Sequence, residues 1–310
     1  MTVSFVVIAY NEARNIARTL RSIMAQADLQ DYEVVVVNDG SRDKTLAVVR
    51  QLAAEFPQIR IVDQANQGRG AARAAGVKAA RGAHLAFIDA DIVLPADWLS
   101  RCNEHLSEYD AVGGIAVPDG DATFVYRVCK LEPKIAPQTT AITGNNGLFK
   151  RTVFDKVSYN PTNKNGEDVA LGHAMQAAGL KTLTLSDLVV GHHETKSYGQ
   201  SLSWLLESGI GASRQLYAHR QLRMPDMAFA GFAVLLVLAV ILPLISALPW
   251  WLGLLVLFSY VTASSFMHLY GKFFLERTPL RSLGGILVND SLIMAYYVGR
   301  LVGTFTEIRS

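Results

Sequence analysis

The chain has 310 residues and a formal net charge of +2, from 29 Lys and Arg against 27 Asp and Glu. That balance, with no long run of like charge, points away from a nucleic-acid partner and from a charged tail. Two cysteines, Cys102 and Cys129, make neither a disulfide framework nor a zinc site, so a reducing compartment is expected.

The first residues, MTVSFVVIAYNE, have no basic start, long apolar core or cleavage site, so they read as an opening strand rather than a signal peptide. Val3 to Ile8 is an apolar run broken only by Ser4, as suits a strand buried on both faces. A helix pattern follows from Glu12 to about Ala25. EVVVVNDGS gives a second buried strand, Asp43 to Phe56 a second helix, and Ile59 to Asp63 a third strand. NQGRGAARAAGVKAARG supplies a glycine loop and an Ala-rich helix, and HLAFIDAD a fourth strand with acids at its end. Alternating strands and helices predict a mostly parallel sheet with crossover helices. Ligands of such sheets sit beyond the carboxyl ends of the strands, and Asn11, Asp39, Asn66, Asp89 and Asp91 all fall there.

Further along, Ala111 to Val117 is predicted as a strand and Thr123 to Leu131 as a helix. ITGNNGLFKRTVF reads as strand-turn-helix. GEDVALGHAMQAAG opens with acids and places Val169, Leu171, Ala174, Met175 and Ala178 at helical spacing. Thr182 to Val190 is a strand running into Gly191, His192 and His193. Met227 to Leu248 has no charge, and Trp250 to Tyr270 is a second apolar stretch. Each reaches the roughly 20 residues that a membrane span needs. The alternative, a pair of buried core helices, is disfavoured by their length and by the short proline-containing turn between them. The expected organisation is a catalytic domain over 1–200, interfacial amphipathic helices over 201–226, a transmembrane hairpin over 227–270 and a further segment over 271–310. Asn289, Asp290 and Arg300 interrupt that last segment, which is expected at the interface or against the hairpin. His219, Arg220 and Arg223 before the hairpin, with Lys272, Arg277 and Arg281 after it, predict a cytoplasmic catalytic domain.

Two carboxylates one residue apart at a strand end, Asp89 and Asp91, suit a shared hard cation, magnesium or manganese; a solvated strand-end turn suits the same residues. Asp39 can accept from a nucleobase or ribose, or its neighbours Ser41 and Asp43 can simply cap the next helix. Around Gly68 the backbone can approach a ligand, with Arg69 and Arg73 placed to steady phosphate. Neither a dinucleotide fingerprint nor a GxxxxGK[ST] loop is present. Glu167 and Asp168 suit a helix dipole or, beside a metal-diphosphate site, a general base. His192 and His193 are structural or complete the metal's shell.

VVIAYNEARNI, VVVVNDGSRDKT, NQGRGAARAAGVKAARG, LAFIDADIVLPADWL, ITGNNGLFKRTVF and NGEDVALGHAMQAAG, in that order over residues 3 to 195, together resemble the family-2 inverting glycosyltransferases of the GT-A fold. The resemblance implies that Ala9, Tyr10, Glu12 and Asp39 surround the nucleoside of a UDP- or GDP-sugar. It implies that Asp89, Ala90 and Asp91 form the donor-and-metal motif, and that Gly144, Asn145 and Asn146, with Glu167 beside them, lie near the sugar or acceptor. Asp168 is then the catalytic base. Members of the dolichol-phosphate-mannose type carry an arginine and a Gly-Ser-Lys sequence after the last strand, where this chain has HHETKSYGQS. It therefore looks like members acting on a hydroxyl of a lipid-linked acceptor in surface-polysaccharide or glycolipid assembly, bound to the cytoplasmic membrane. It also lacks the Gln-x-x-Arg-Trp sequence of processive synthases, which favours single transfers. A polyprenyl-phosphate glycosyltransferase, a nucleotidyltransferase and a non-catalytic membrane scaffold are the rival readings.

Overall fold

The computed structural model describes residues 2–27, 30–119, 144–193, 196–220, 222, 224–246, 248–275 and 279–309, so the helix expected over Thr123 to Leu131 lies outside the described residues. The chain divides into two compact units, one of residues 2–119 and 144–193, the other of residues 196–309.

The first unit is built on strands β1 (Thr2–Ala9), β2 (Asp31–Asp39), β3 (Ile59–Gln64), β4 (His84–Asp89), β5 (Ile92–Val93), β6 (Ala111–Pro118), β7 (Asn146–Lys150) and β8 (Thr182–His192). Their order in the sheet is β3-β2-β1-β4-β7-β6-β8-β5. β3, β2, β1 and β4 are mutually parallel, as alternation with helices α1 (Ile16–Met24), α2 (Thr45–Glu55) and α3 (Arg69–Ala79) requires. Beyond β4 the sheet is mixed: β7 runs antiparallel to both neighbours, β6 and β8 are parallel, and β5 is antiparallel to β8. Asn146–Lys150 passes into a single 3₁₀ turn, Arg151–Val153, rather than the helix expected there.

Packing follows from strand alternation. Phe5, Val7, Val34 and Val36 face a core shared with Ile16, Leu20 and Ile23 of α1 and with Trp98 of α4 (Trp98–Glu104). On the other face Val6 joins Leu85, Phe87 and Phe149 under α5 (Glu167–Ala177), while Val35 and Val37 meet Ala72 of α3. A strand clad on both sides needs an unbroken apolar run, which is what β1 and β2 carry. A Cβ on Gly76 would lie 2.2 Å from Val6 Cγ1, so only glycine lets α3 approach β1 this closely. Helix α1 begins four residues later than its apolar pattern suggests. Asn11 takes a left-handed φ of 58°, and the Asn15 side-chain amide donates to Glu12 Oε2 at 2.7 Å, forming a turn ahead of the helix.

The second unit holds helices α6 (Tyr198–His219), α7 (Met224–Ile245), α8 (Trp250–Leu275) and α9 (Pro279–Arg309). Ser197 caps α6 through a reciprocal pair with Gln200. Within α7, the 21-residue stretch Pro225–Ile245 reaches a mean hydropathy of 2.9 over an 18-residue window, and among the described residues it alone is long and apolar enough to cross a membrane; Trp250–Ser265 is apolar but shorter. The final segment is one continuous helix. Its polar residues are buried against other helices: Thr262 donates to Asp290 Oδ2 at 2.9 Å, and Arg300, fully buried, meets Asp226 Oδ1 at 2.8 Å and lies 4.8 Å over the Phe229 ring. Small residues bring α6 and α9 together, since a Cβ on Gly299 would fall 2.0 Å from the Leu206 carbonyl oxygen and one on Gly209 2.2 Å from that of Tyr296.

Breaking a fully buried ion pair by removing one partner leaves the other charge uncompensated, at a cost of about 3–5 kcal/mol. Asp226→Ala should therefore destabilise the purified full-length chain strongly in thermal or denaturant unfolding, and Asp226→Leu combined with Arg300→Met should recover most of the loss.

Candidate functional site

Three loops are drawn together at the carboxyl edge of β1, β2 and β4. Asn11 accepts from the Arg42 N–H at 2.8 Å and donates its own N–H to Ser41 Oγ at 3.0 Å. The Glu12 N–H donates to Thr45 Oγ1 at 2.8 Å and that of Ala13 to Asp43 Oδ2 at 3.1 Å, which fastens the loop after β1 to the loop after β2. Several hydrogen bonds hold the Asp43 carboxyl below its ordinary range against the opposing effect of burial. Ala9 is buried in the sheet, whereas the Tyr10 side chain is exposed.

Asp39 is buried and heavily used by the protein itself. Its Oδ1 accepts from Gln64 Nε2 at 2.7 Å and from the Gln67 N–H at 3.0 Å, and its Oδ2 from the Gly68 N–H at 2.9 Å. The expected nucleoside ligand is thus also the anchor of the glycine loop that starts α3. Gly68 has a φ of 92°, which only glycine adopts readily, and Arg69 is exposed on the first turn of the helix.

Arg73 is placed differently from the expectation. Instead of reaching outward to a phosphate it is 2% exposed, its Nε donating to Glu167 Oε1 at 3.0 Å and its Nη2 to Asp89 Oδ1 at 2.8 Å. The guanidinium lies 5.7 Å from the Phe87 ring centroid and 5.8 Å from that of Tyr159. Burial works against its charge, but Asp89 and the other acids more than compensate, so its pKa is raised. Burial pushes the Glu167 carboxyl up, and Arg73 opposes that shift.

Asp89 and Asp91 separate at this point. Asp89 turns to Arg73, whereas Asp91 Oδ2 lies 3.0 Å from His192 Nε2. The two-residue strand β5 makes the second contact by pairing Ile92 with His192 at the end of β8, and the His193 N–H donates to the Asp91 carbonyl at 2.8 Å. Ala90 is buried and its carbonyl accepts from Thr19 Oγ1 at 2.8 Å. His193 Nδ1 faces Asp119 at 2.9 Å and Arg18 Nη1 at 3.0 Å. Arg18 and Asp119 have no distinguishing signal in the sequence beyond the position of Asp119 just after a strand. Among the described residues no three His, Cys, Asp or Glu side chains converge on one point as a metal site.

The acids of α5 also divide. Glu167 is buried on Arg73; Asp168 borders a cavity of about 10 Å³, the size of a single water, with Gly144, Tyr159 and Met175. A Cβ on Gly144 would lie 2.8 Å from Asp168 Cβ and 3.1 Å from Arg73 Nη2, so this backbone passes directly over both. The Asn145 carbonyl accepts from the Asp89 N–H at 3.1 Å. Asn146, expected beside a sugar, is fully buried instead, its Oδ1 accepting from the Gly114 N–H at 2.7 Å and its Nδ2 donating to Asn145 Oδ1 at 2.9 Å.

A half-parallel sheet with acids gathered beyond its central strands, and further acids at a facing helix start, is a mixed α/β arrangement of the GT-A kind. The chain belongs to glycosyl transferase family 2, whose model matches residues 4–162, and it is a glycosyltransferase. It is similar to the uncharacterized glycosyltransferase alr2836 of Nostoc sp., 35% identical over 172 residues that make up 51% of this chain and 53% of that one. The glycosyltransferase AglE of Haloferax volcanii is 31% identical over 222 residues, 67% of this chain and 72% of its own. The chain thus spans about half the length of the first relative and nearly three quarters of the second. The fold is like that of the mannosyltransferase PcManGT from Pyrobaculum calidifontis, solved with GDP-Man and Mn2+, at a TM-score of 0.61 and 22% identity over 96% of this chain and 86% of that one.

If Asp39 anchors the glycine loop, Asp39→Ala leaves the N–H groups of Gln67 and Gly68 without their acceptor. Hydrogen bonds to a charged group are worth about 1.5–3 kcal/mol. The variant should melt measurably lower even without nucleotide, whereas a residue used only for ligand binding would leave the melting temperature of the unliganded chain unchanged.

Proposed function

We propose that the chain moves a sugar from a UDP- or GDP-sugar to a hydroxyl of a lipid-linked acceptor, inverting the anomeric carbon. The observation that carries this reading is the meeting of the β4 end and the α5 start across Arg73, which bridges Asp89 and Glu167 and so sets Asp168, the next residue, close to the strand end that carries Asp89 and Asp91. Asp168 removes the proton from the acceptor hydroxyl as its oxygen attacks the anomeric carbon and the bond to the diphosphate breaks on the opposite side. Arg69 and Tyr10, both exposed, belong to the set proposed to contact the nucleotide.

A divalent cation, Mn2+ or Mg2+, fits the residues present. Asp91 and His192 offer an oxygen and a nitrogen 3.0 Å apart, and such ions commonly take one or two protein ligands and complete their shell with water and substrate phosphates. Its chemistry would be to neutralise charge on the departing diphosphate. Asp89 and His193, near this pair in sequence but bonded to Arg73 and Asp119 here, complete the set proposed for donor and metal. The PcManGT complex with GDP-Man and Mn2+ supports the same class of donor and ion.

The lipid-linked acceptor is supported by the apolar helix Pro225–Ile245 in the same chain. We place this helix in the cytoplasmic membrane with the catalytic unit inside the cell, because basic residues flank the apolar stretches and the turn between them has none. A cysteine placed at Ser246 should be labelled by an impermeant reagent in intact cells and one at Ser310 should not; the opposite pattern would reverse the orientation.

Asp168→Asn should keep nucleoside-diphosphate binding and lower the rate of transfer by about 10²–10⁴-fold, the usual worth of a general base. Asp91→Asn should instead weaken the metal-dependent binding of the nucleoside diphosphate. Full transfer by wild type in excess chelator would remove the metal from the mechanism, and retention of anomeric configuration by NMR would remove the single displacement.

A further inference from the structure

Arg73 is too well buried to be a surface phosphate ligand and too well connected to be mere filling. It comes from the middle of α3, and its two bonded nitrogens point to two different elements, Nη2 to Asp89 at the end of β4 and Nε to Glu167 at the start of α5. Phe87 and Tyr159 hold the plane of the guanidinium by their rings. Gly144 leaves room for this arrangement, since any side chain there would collide with Asp168 and with Arg73 itself. Stability alone is a weak reason for such a group, because a buried ion pair is generally no more stabilising than apolar residues of the same shape. Geometry is the better reason: the planar guanidinium donates in two fixed directions at once, which a lysine ammonium does not.

We infer that Arg73 is a positioning residue of the transfer reaction, setting the separation and orientation of the donor-side Asp89–Asp91 strand end relative to the base-side Glu167–Asp168 helix start. The inference rests on the reading of Asp168 as general base. It deepens that reading by naming what aligns the base with the donor before substrates arrive. Arg73 touches neither reactant; it acts through Asp89 and through the residue next to Asp168. A displacement of about 1 Å between reacting groups costs on the order of 10² in rate, and that is the size of effect expected when the bridge is lost.

The test uses the full-length chain with Mn2+ and a nucleotide sugar that it transfers. Arg73→Lys keeps the positive charge between the two carboxylates and loses the fork. It should melt close to wild type and bind nucleoside diphosphate with little change, while kcat falls about 10²-fold with the donor KM nearly constant. As a second variant, Arg73→Met with Glu167→Gln removes the buried charge imbalance, and it should regain the thermal stability that Arg73→Met loses without regaining kcat. Wild-type kcat in either folded variant would overturn the inference and leave the proposed function standing. A raised donor KM with unchanged kcat would also overturn it, making Arg73 a donor ligand. Undiminished transfer by Asp168→Asn would instead strike the proposed function, and the positioning role with it.

Discussion

A sheet whose central strands are clad on both faces has few places to keep a charge. The middles of β1, β2 and β4 are apolar, so their polar residues are pushed toward the strand ends, and at the carboxyl edge adjacent parallel strands end side by side. Crowding carboxylates there is unfavourable unless each finds a partner. Asp39 finds backbone N–H groups, Asp91 finds an imidazole, and Asp89 shares the guanidinium of Arg73 with Glu167. The site is the set of solutions to that one electrostatic problem, and each solution also fixes a loop or a helix start in place.

The helical unit meets a related problem with the same residue type. Arg300 is buried among apolar helices, pairs with Asp226 and lies against the Phe229 ring, as Arg73 pairs with acids and lies against Phe87 and Tyr159. Arginine suits both places because its charge is not given up on burial and its flat face packs on aromatic rings. In α9 two of the polar residues that argued against a membrane span face partners on other helices, Asp290 meeting Thr262 and Arg300 meeting Asp226. Helix length there is decided by tertiary partners rather than by the local hydropathy of the segment.

What was legible in the sequence follows the same division between local and distant causes. Continuous apolar runs gave β1, β2 and β4, and helical spacing gave α2, α3 and α5 within a few residues. The gathering of Asn11, Asp39, Asp89 and Asp91 at one edge followed from strand ends alone. The direction of β7 was not legible, because periodicity reports a strand but not its partner. Arg73 and Asn146 were read outward into the site, and both are instead committed to groups far away in the sequence, Glu167 and Gly114. Arg18 and Asp119 went unread because it takes the β6–β8 pairing, with Pro118 opposite His192, to bring Asp119 beside His193, where Arg18 of α1 also reaches.

The pair Glu167–Asp168 shows how one helix start serves two purposes. Successive helical residues point about 100° apart, so two adjacent acids cannot face the same environment. The left-handed Gly166, at a φ of 73°, turns the chain so that Glu167 enters the protein and meets Arg73. Asp168 is left beside Gly144 at the edge of a water-sized cavity, with one oxygen held by the Val169 N–H at 2.8 Å. The first acid is spent on holding the helix against the donor strand. The second, one residue on, inherits that fixed position while its carboxylate borders the cavity, as the proposed role of general base requires. A single acid here could not both anchor α5 on Arg73 and line the cavity; two adjacent acids on a helix start do both, which leaves Asp168 open to the proposed role.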